Sequence, residues 1–525
     1  MKSALPLSNT PSSLDDYAYN FAKARAIHRH HHFYLGPTNS GKTYHALEAL
    51  IKAQSGVYLA PLRLLAMEVR DRLVAAGVPC NLITGEERVL MKGAKHTAST
   101  IEMMHPKNQI EVAIIDEIQM LQDPDRGSAW TAALVGVPAR QVFICGSNAV
   151  TAPCIKVIEA LGETYEMTYL QRKTPLVLEE TSICGKRYSK PKLKNQLQKG
   201  DAVIAFSRKD VLTFSARFRQ WGYTVASIYG ALSPEVRRTE SERFNTGAAD
   251  ILVATDAIGM GLNLPIRRVL FSNIHKYDGV ASRSLNATEV RQIAGRAGRY
   301  GIYETGFVNV FEDDERIHIE HMLSVDDTSD LQKLPIAANF GEIEAIANKL
   351  QTAKISECFE YFENKIKLSQ LNFNQLNFSH ALFALSSTNT QFTQALLVDE
   401  FAPKMALRDK FVFANAPISI NVNIEKDYFL LCLKSVYTST VRHLPTKPVW
   451  LDSHNAQYLE TAELLSQNIS LYAWLSYKFP SIFTDAELVS EYRKSVSRYI
   501  ERALLSQAGY GDTLRELDFL QRRKY

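Results

Sequence analysis

Short apolar runs alternate with longer amphipathic stretches over the first 311 residues of the chain. The runs lie at 33–35, 56–60, 112–115 and 142–145, and then at 202–206, 224–229, 251–254, 268–271 and 306–311. Continuous apolar strands that are separated by helices are typical of a parallel sheet covered on both faces. The pattern therefore predicts the α/β class, with two parallel-sheet domains in tandem.

The pattern changes at 326–330, a polar segment that precedes a mostly helical region rich in Leu, Phe and Asn. We predict an N-terminal arm at 1–30, a first sheet domain at 31–169, a second at 170–325 and a helical C-terminal region at 326–525. Within the last region, the aromatic-rich segment 471–479 is interpreted as a packed helix face rather than a base-stacking platform, because aromatic side chains dominate ordinary cores.

Composition narrows the classes of function. The 525 residues leave room for several domains, and no apolar run approaches the ~20 residues that span a bilayer, so we predict no membrane partner. A net charge of +4 neither supports nor excludes a nucleic-acid partner. The six cysteines include no CxxC pair, which argues against a zinc module or a disulfide framework.

The first residues of the chain have no apolar core of the kind found in secretory signals. Asp15 and Asp16 are untypical of an Arg-rich transit peptide, so we expect a cytoplasmic protein. The histidine-rich run 28–32 has no Cys or carboxylate beside it, so we do not predict a metal site there.

The segment 36–43 has the sequence of a phosphate-binding loop and stands between the first strand and an amphipathic helix. Backbone N–H groups at the start of that helix are expected to cradle phosphates. Lys42 is expected to neutralise the β and γ phosphates, and Thr43 to reach Mg²⁺. The predicted nucleotide contacts are Gly36, Pro37, Thr38, Asn39, Ser40, Gly41, Lys42 and Thr43.

Two further segments supply groups for phosphoryl transfer. Asp116 and Glu117 follow an apolar strand directly; the first is predicted to hold Mg²⁺, and the second to orient or deprotonate the attacking water. Arg296 and Arg299 lie three residues apart among small residues, so we predict that they stabilise the transition state. Gln292 is the predicted contact to the γ-phosphate or its water.

The ordered set of motifs resembles superfamily-two DExH-box helicases, and within them the Suv-three family, the ATP-dependent RNA helicases of the mitochondrial degradosome and their bacterial relatives. The resemblance implies two RecA-like domains that close on ATP and Mg²⁺, with single-stranded RNA across both and the helical C-terminal region completing the channel. The residues that carry the resemblance are 36–43, 60–66, 84–88, 116–120, 254–264 and 292–299, and the similarity continues to 471–477.

The resemblance also implies roles for individual residues. RNA-backbone contacts are implied for Pro61, Arg63, Thr84, Gly85, Phe206, Ser207 and Thr255, a nucleotide contact for Gly259, and coupling of nucleotide to strand for Gln119, Ser147, Asn148 and Asp256. The usual Ser-Ala-Thr motif is replaced by 146–149, and Ile293 stands where many relatives outside the family carry arginine, which leaves two candidate finger residues. No adenine-reading segment precedes the phosphate loop, which suggests that NTPs other than ATP are accepted.

We predict an ATP-dependent RNA helicase that moves on single-stranded RNA, unwinds duplexes from a single-stranded tail and serves RNA turnover. Backbone contacts alone do not fix the sugar, so a DNA-directed or dual helicase stays open as an alternative. A second alternative is an ATP-gated RNA clamp that unwinds little. The resemblance alone suggests an exoribonuclease partner. The segment 276–280 predicts a hairpin, either a strand-separating pin or an ordinary surface hairpin.

Overall fold

Two mostly parallel sheets, one after the other along the chain, form the centre of the fold. The computed structural model describes residues 17–85, 87–104, 108–230, 232, 234–259, 264–277, 281–325, 329–371, 382–386, 390–418, 423–453 and 456–507. Among these residues, no helix combines the length and the apolar character needed to cross a membrane.

The first sheet has eight strands. They are β1 His30–Leu35, β2 Gly56–Ala60, β3 Cys80–Ile83, β4 Arg88–Val89, β5 His96–Thr100, β6 Ile110–Ile115, β7 Ala139–Gly146 and β8 Thr164–Tyr169. Their order is β4-β3-β5-β2-β6-β7-β1-β8, and all neighbours are parallel except β3 and β4. The helices are α1 Ala22–Arg25, α2 Lys42–Lys52, α3 Arg63–Ala75, α4 Gly127–Gly136 and α5 Thr151–Ala160.

The second sheet has six strands, all parallel to their neighbours. They are β9 Leu176–Leu178, β10 Asp201–Ile204, β11 Val225–Ile228, β12 Ile251–Ala254, β13 Arg268–Phe271 and β16 Gly306–Val310, in the order β11-β12-β10-β13-β16-β9. The helices are α6 Lys190–Gln196, α7 Arg208–Gln220, α8 Pro234–Asn245, α9 Ala287–Ala294 and α10 Asp313–Ser324. β14 His275–Tyr277 and β15 Ser282–Ser284 pair antiparallel, which confirms a hairpin; residues 278–280 of that segment lie outside the described residues.

The C-terminal region is mostly helical. It contains β17 Leu334–Ile336 and β18 Phe383–Leu385, which pair with each other in parallel. Its helices are α11 Phe340–Leu350, α12 Ile355–Leu371, α13 Thr390–Phe401, α14 Leu407–Ala414, α15 Asn423–Tyr437, α16 Leu459–Lys478 and α17 Val489–Gln507. The predicted α/β class with two parallel-sheet domains and a helical C-terminal region is therefore confirmed.

The C-terminal helices share their apolar cores with the two sheet domains. Ile343 of α11 and Phe362 of α12 belong to one buried cluster with Trp130 of α4. Tyr472 of α16 belongs to a second cluster with Phe218 of α7. Because burial of large side chains is the main stabilising term, the first half of the region is fixed to the first sheet domain and the second half to the second.

Candidate nucleotide site between the two sheet domains

A cleft of about 1090 Å³ lies between the two sheet domains. The phosphate loop and the carboxyl ends of β6 and β7 line its first wall, and α9 with the residues that follow it lines the second. This is the position where open parallel sheets bind ligands. Of the predicted site residues, the cleft is lined by Gly36, Pro37, Thr38, Asn39, Ser40, Gly41, Lys42, Thr43, Asp116, Glu117, Gln119, Ser147, Asn148, Gly259, Gln292, Arg296 and Arg299.

The phosphate loop connects β1 to the first turn of α2. Gly41 immediately precedes the helix and has a left-handed backbone with φ of 91°, which favours glycine. The Lys42 ammonium group lies back across the loop and donates to the carbonyls of Gly36 and Pro37 at 2.6 and 2.7 Å. Burial lowers the pKa of Lys42, while Glu117 opposes that shift. The loop thus places a cation and the N–H groups of a helix start on one surface of the cleft.

The loop also contacts the second domain. The Asn39 side-chain amide donates to the Gly295 carbonyl at 3.1 Å. A Cβ added at Gly295 would lie 2.8 Å from the Cβ of Thr38, so only glycine allows this approach of the two backbones. The glycine spacing around the arginines therefore serves the contact between the domains.

Asp116 follows β6 and lies against the phosphate loop. The Thr43 hydroxyl donates to its Oδ1 at 3.3 Å, and the buried Tyr58 hydroxyl donates to its Oδ2 at 2.5 Å. Burial and the neighbouring Glu117 raise the pKa of Asp116 to about 6, although the hydrogen bond from Tyr58 opposes this shift. Tyr58 lies within an apolar strand, and nothing in its sequence position indicates this contact.

Glu117 has a left-handed backbone, with φ of 52°, which is rare for a residue with a side chain. Its carboxylate accepts a hydrogen bond from the Gln119 side-chain amide. The side-chain oxygen of Gln119 accepts in turn from the Ser147 backbone N–H at 3.1 Å. These contacts connect the acidic pair to the segment that stands in place of the Ser-Ala-Thr motif, while Asn148 lines the cleft beside it.

Arg296 reaches across the cleft from the second domain. Its guanidinium group donates to the Gly259 carbonyl, with an Nε distance of 3.2 Å, and its Nη2 lies 3.9 Å from Oε1 of Glu117. Burial lowers the pKa of Arg296, and Glu117 opposes the shift. Arg299 interacts electrostatically with Glu68 of α3, which lines the same cleft. Both arginines are thus near carboxylates of the first domain.

Arg172 was not singled out from the sequence, and it joins the two walls of the cleft. Its Nη1 donates to the Thr38 carbonyl at 3.1 Å and to the Gly295 carbonyl at 2.7 Å, and its Nη2 donates to the Ala297 carbonyl. Burial lowers the pKa of Arg172 to about 10. The sequence signal for a residue that joins the two domains is its position, because Arg172 lies in the linker between β8 and β9.

The predicted RNA contacts and Asp256 are not part of the cleft lining. They follow carboxyl ends of strands: Pro61 and Arg63 after β2, Thr84 and Gly85 after β3, Phe206 and Ser207 after β10, and Thr255 after β12. Asp256 accepts a hydrogen bond from Lys276 of the hairpin at 3.0 Å.

Several of these residues have contacts within the protein. Arg63 lies 4.0 Å from Glu87, and the Thr84 N–H donates to the Glu87 carbonyl at 2.8 Å. The Ser207 side chain caps α7 by accepting from the Asp210 N–H at 3.0 Å. We call these residues at the carboxyl ends of β2, β3, β10 and β12 the row of strand ends. The contacts within the protein hold this row in place.

A third element meets that row. A Cβ at Gly85 would lie 3.8 Å from Cδ1 of Trp474 in α16. The Lys478 ammonium group lies over the Trp474 ring at 5.5 Å, and both side chains are half-buried. Leu471, Tyr472 and other residues of the segment are buried, as the interpretation of a packed helix face requires. Trp474 and Lys478 are only half-buried, so the interpretation holds for part of the helix surface.

Three family models match the chain. The DEXQ-box helicase domain of Suv3 matches 18–170, the helicase conserved C-terminal domain matches 189–301, and the ATP-dependent RNA helicase SUV3 C-terminal domain matches 459–506. Gln119 occupies the fourth position of the DEXQ box here.

Curated proteins are similar over almost the whole chain. The mitochondrial ATP-dependent RNA helicase SUV3 of Oryza sativa is 33% identical over 519 residues, which cover 96% of this chain and 84% of that protein. The mitochondrial ATP-dependent RNA helicase SUPV3L1 of Gallus gallus is 35% identical, with 92% of this chain and 60% of that protein covered. The mitochondrial DExH16 of Arabidopsis thaliana is 33% identical, with 90% and 80% covered.

These relatives contradict the expectation of a cytoplasmic protein. The similar proteins named above are all mitochondrial, as are those of Candida albicans and Homo sapiens. The expectation is wrong because the absence of an apolar run argues only against a secretory signal, and the acidic pair Asp15 and Asp16 is too small a feature to exclude an amphipathic mitochondrial targeting segment.

Proposed function

The chain belongs to the Suv3 family of ATP-dependent RNA helicases, and we propose that it uses ATP hydrolysis in the cleft between its sheet domains to move along single-stranded RNA. We further propose that it unwinds duplexes from a single-stranded tail and acts in RNA turnover. The observation that carries the proposal is the approach of Arg296 of the second domain to Glu117 of the first at 3.9 Å. Because each domain supplies part of the site, turnover is coupled to relative movement of the domains.

In the proposed mechanism, Glu117 orients and deprotonates the attacking water. Its carboxylate lies beside Gln119 and Arg296, which fix its position from two sides. Lys42 neutralises the β and γ phosphates, and Arg296, Arg299 and Gln292 contact the γ-phosphate as charge develops. Preorganised cations aimed at the transition state are the main source of rate in phosphoryl transfer.

The residues present fit a magnesium ion. The Thr43 hydroxyl and the Asp116 carboxylate offer hard oxygen donors 3.3 Å apart beside the phosphate loop, and Mg²⁺ is usually bound by one or two protein oxygens plus phosphates and waters. We propose that Thr43 and Asp116 hold it. When bound, the ion supplies charge neutralisation at the β and γ phosphates.

We propose that the RNA backbone follows the row of strand ends. Pro61, Arg63, Thr84 and Gly85 supply contacts from the first domain, and Phe206, Ser207 and Thr255 supply contacts from the second. Gln119, Ser147, Asn148 and Asp256 couple the row to the cleft. A Cβ built on Gly85 would lie 3.8 Å from Cδ1 of Trp474, and this proximity supports a path that also touches the helical region. Backbone contacts of this kind grip phosphates without reading sequence.

The test is the steady-state ATPase rate of the full chain without nucleic acid, with single-stranded RNA, and with single-stranded DNA of the same sequence. We expect strong stimulation by RNA, and strand separation of a tailed RNA duplex that depends on ATP. Equal stimulation by DNA would favour the dual helicase, and stimulated ATPase without unwinding would favour the clamp. No stimulation by RNA would contradict the proposal.

Partners beyond RNA are also proposals. We propose that RNA is preferred to DNA, because an RNA motor can contact 2′-hydroxyl groups that DNA lacks. An exoribonuclease partner is proposed from the family alone. Pull-down of the chain with a purified exoribonuclease, and the effect of that enzyme on unwinding, test it directly.

A further inference from the structure

An exposed pair of side chains, Tyr44 and Arg72, lines the nucleotide cleft beside the phosphate loop. Tyr44 lies in the first turn of α2, and Arg72 lies in the last turn of α3. The guanidinium carbon of Arg72 is 5.3 Å from the centroid of the Tyr44 ring, and 48% of the Tyr44 side chain is exposed. Nothing in the hydrolytic mechanism uses either residue.

Tyr44 stands where a bound nucleotide leaves the phosphate loop. The hydrolytic end of the cleft is defined by Glu117 and Arg296, which carry the groups that act on the γ-phosphate. From there the phosphates lie along the N–H groups at the start of α2, ending at Thr43. Tyr44 is the next residue and lines the cleft, so the sugar and base of a bound nucleotide would leave the loop beside its ring.

The surroundings of the pair are those of a base pocket. Leu47 and Val69 are buried and line the same cleft between α2 and α3, together with the half-buried Leu65. They supply an apolar wall, and the Tyr44–Arg72 pair supplies a flat, polarisable surface. Aromatic rings and arginine guanidinium planes are the side chains on which bases stack.

We propose that Tyr44 and Arg72 form the base subsite of the nucleotide site, where any purine or pyrimidine base of an NTP stacks. This assignment rests on the proposed function, because it takes the cleft to be the NTP site. Beyond the proposed function, it names the residues that hold the base and predicts how strongly they discriminate among bases.

The chemistry of the pair predicts weak discrimination among bases. A guanidinium group that stacks on a base has its donors in a plane parallel to the base, so they do not point at the base edge where base identity is read. The Tyr44 hydroxyl is hydrogen-bonded to the Glu48 carboxylate, which raises the pKa of Tyr44. Stacking recognises the face that every base has, so affinity follows ring area more than base identity.

A second aromatic–cation pair occupies the same cleft and is the competing location. The Lys173 ammonium group lies 4.9 Å from the centroid of the Tyr300 ring, and a Cβ at Gly41 would lie 3.3 Å from Cε of Lys173. Lysine is a compact point charge without a planar face. It therefore suits a phosphate better than a base, which favours the Tyr44–Arg72 pair.

The experiment is calorimetric binding of ADP and of inorganic tripolyphosphate, each with Mg²⁺, to the full chain. Tripolyphosphate carries the phosphates without the base. In Tyr44→Ala and Arg72→Ala we expect the Kd for ADP to rise about ten-fold, as for loss of one stacking contact. The Kd for tripolyphosphate is expected to change less than two-fold. Tyr44→Phe, which keeps the ring, should bind ADP like the wild type.

A control variant outside the cleft and a comparison of four nucleoside diphosphates test whether the loss of ADP affinity arises at the base subsite. Phe401→Ala removes an aromatic ring of 49% exposure on α13, outside the cleft lining, and should leave both affinities unchanged. ADP, GDP, CDP and UDP should bind the wild type within about ten-fold of one another, the range set by one stacking contact.

Three outcomes overturn the assignment: unchanged ADP affinity in both variants, equal weakening of tripolyphosphate, or a loss of ADP affinity in Tyr300→Ala instead. Failure of the proposed function looks different, because it is absence of RNA-stimulated ATP turnover in the wild type while ADP still binds.

Discussion

Glu117 is constrained both by its backbone conformation and by contacts of its carboxylate. Its left-handed backbone stores strain of about 1–3 kcal/mol, which the surrounding contacts must sustain. Gln119 and Arg296 both approach its carboxylate. Strained residues cluster at functional sites, and the chemistry that we propose here gives this strain a reason.

Glu117→Gln should retain nucleotide binding and lose turnover. The amide keeps the size and hydrogen-bonding capacity of the side chain but cannot accept a proton from water, so we expect kcat to fall at least about 100-fold. The Kd for ADP should stay within two-fold by calorimetry, whereas Lys42→Ala should weaken it strongly. Glu166→Gln, on the edge strand β8, is the matched control. Normal ATP hydrolysis by Glu117→Gln would refute the water-activating role.

Arg299→Ala should separate the two candidate finger residues. We expect ADP affinity to be retained and ATPase kcat to fall by about 1000-fold, because a permanently charged fork near the γ-phosphate is removed. Arg296→Ala should also release the Gly259 carbonyl, so its effect should extend to nucleotide affinity. Wild-type turnover in Arg299→Ala would leave Arg296 as the finger.

At the scale of elements, the sequence predicts strands well where burial is continuous. β2, β6, β7, β10 and β12 lie within or around the predicted apolar runs, because both of their faces are covered. The apolar runs missed β3, β4, β5, β8 and β9. β4 and β8 are edge strands that face solvent and carry polar residues such as Thr164 and Glu166, so they lose the apolar signal. β9 is only three residues long, and the interior strands β3 and β5 are interrupted by polar residues such as Asn81 and Ser99.

The start of α10 yields a prediction on pH dependence. Glu312 and Glu315 form a capping box there, and burial raises the pKa of Glu315 to about 7. Since that pKa is higher in the folded state than in the unfolded state, the contribution of Glu315 to stability is most favourable below pH ~4.5 and declines as the pH rises through 7.

Glu315→Gln should therefore stabilise the protein at pH 8. Glutamine keeps the capping hydrogen bond but carries no charge to bury. We expect a gain of about 1 kcal/mol, reduced from the full shift because Glu315 is partly exposed to solvent. Thermal unfolding at pH 8 and pH 4.5 measures it, and the gain should vanish at the lower pH. An equal gain at both pH values would contradict the assigned pKa.

At the scale of the whole molecule, the linker arginine Arg172 connects the two sheet domains at their interface. It donates to carbonyls of Thr38, Gly295 and Ala297, which belong to both walls of the cleft. Chains of hydrogen bonds between packed elements are one way in which nucleotide binding at one wall can change the position of the other.

Arg172→Ala should uncouple RNA binding from hydrolysis. We expect the stimulation of ATPase by RNA to fall about ten-fold, a typical coupling factor, while ADP affinity changes little. Arg172→Lys keeps the charge but loses the planar fork, so it should also lose most of the stimulation. The ratio of RNA-stimulated to basal ATPase is the measurement. Full stimulation in both variants would remove Arg172 from the coupling path.

The sequence by itself determined the two parallel sheets, the helical C-terminal region and the phosphate loop, because burial periodicity and glycine spacing are local properties of the chain. The domain boundaries and the roles of the site residues stay predictions.

Only the tertiary structure decided that the Tyr58 hydroxyl donates to Asp116 and that the C-terminal helices divide between two cores. It also decided that Oε1 of Glu166 lies 2.5 Å from Nδ1 of His32. That last contact corrects the reasoning that the histidine run has no carboxylate beside it. Such contacts join residues far apart in sequence. They depend on which strands pair and how domains face each other, and local patterns do not record either.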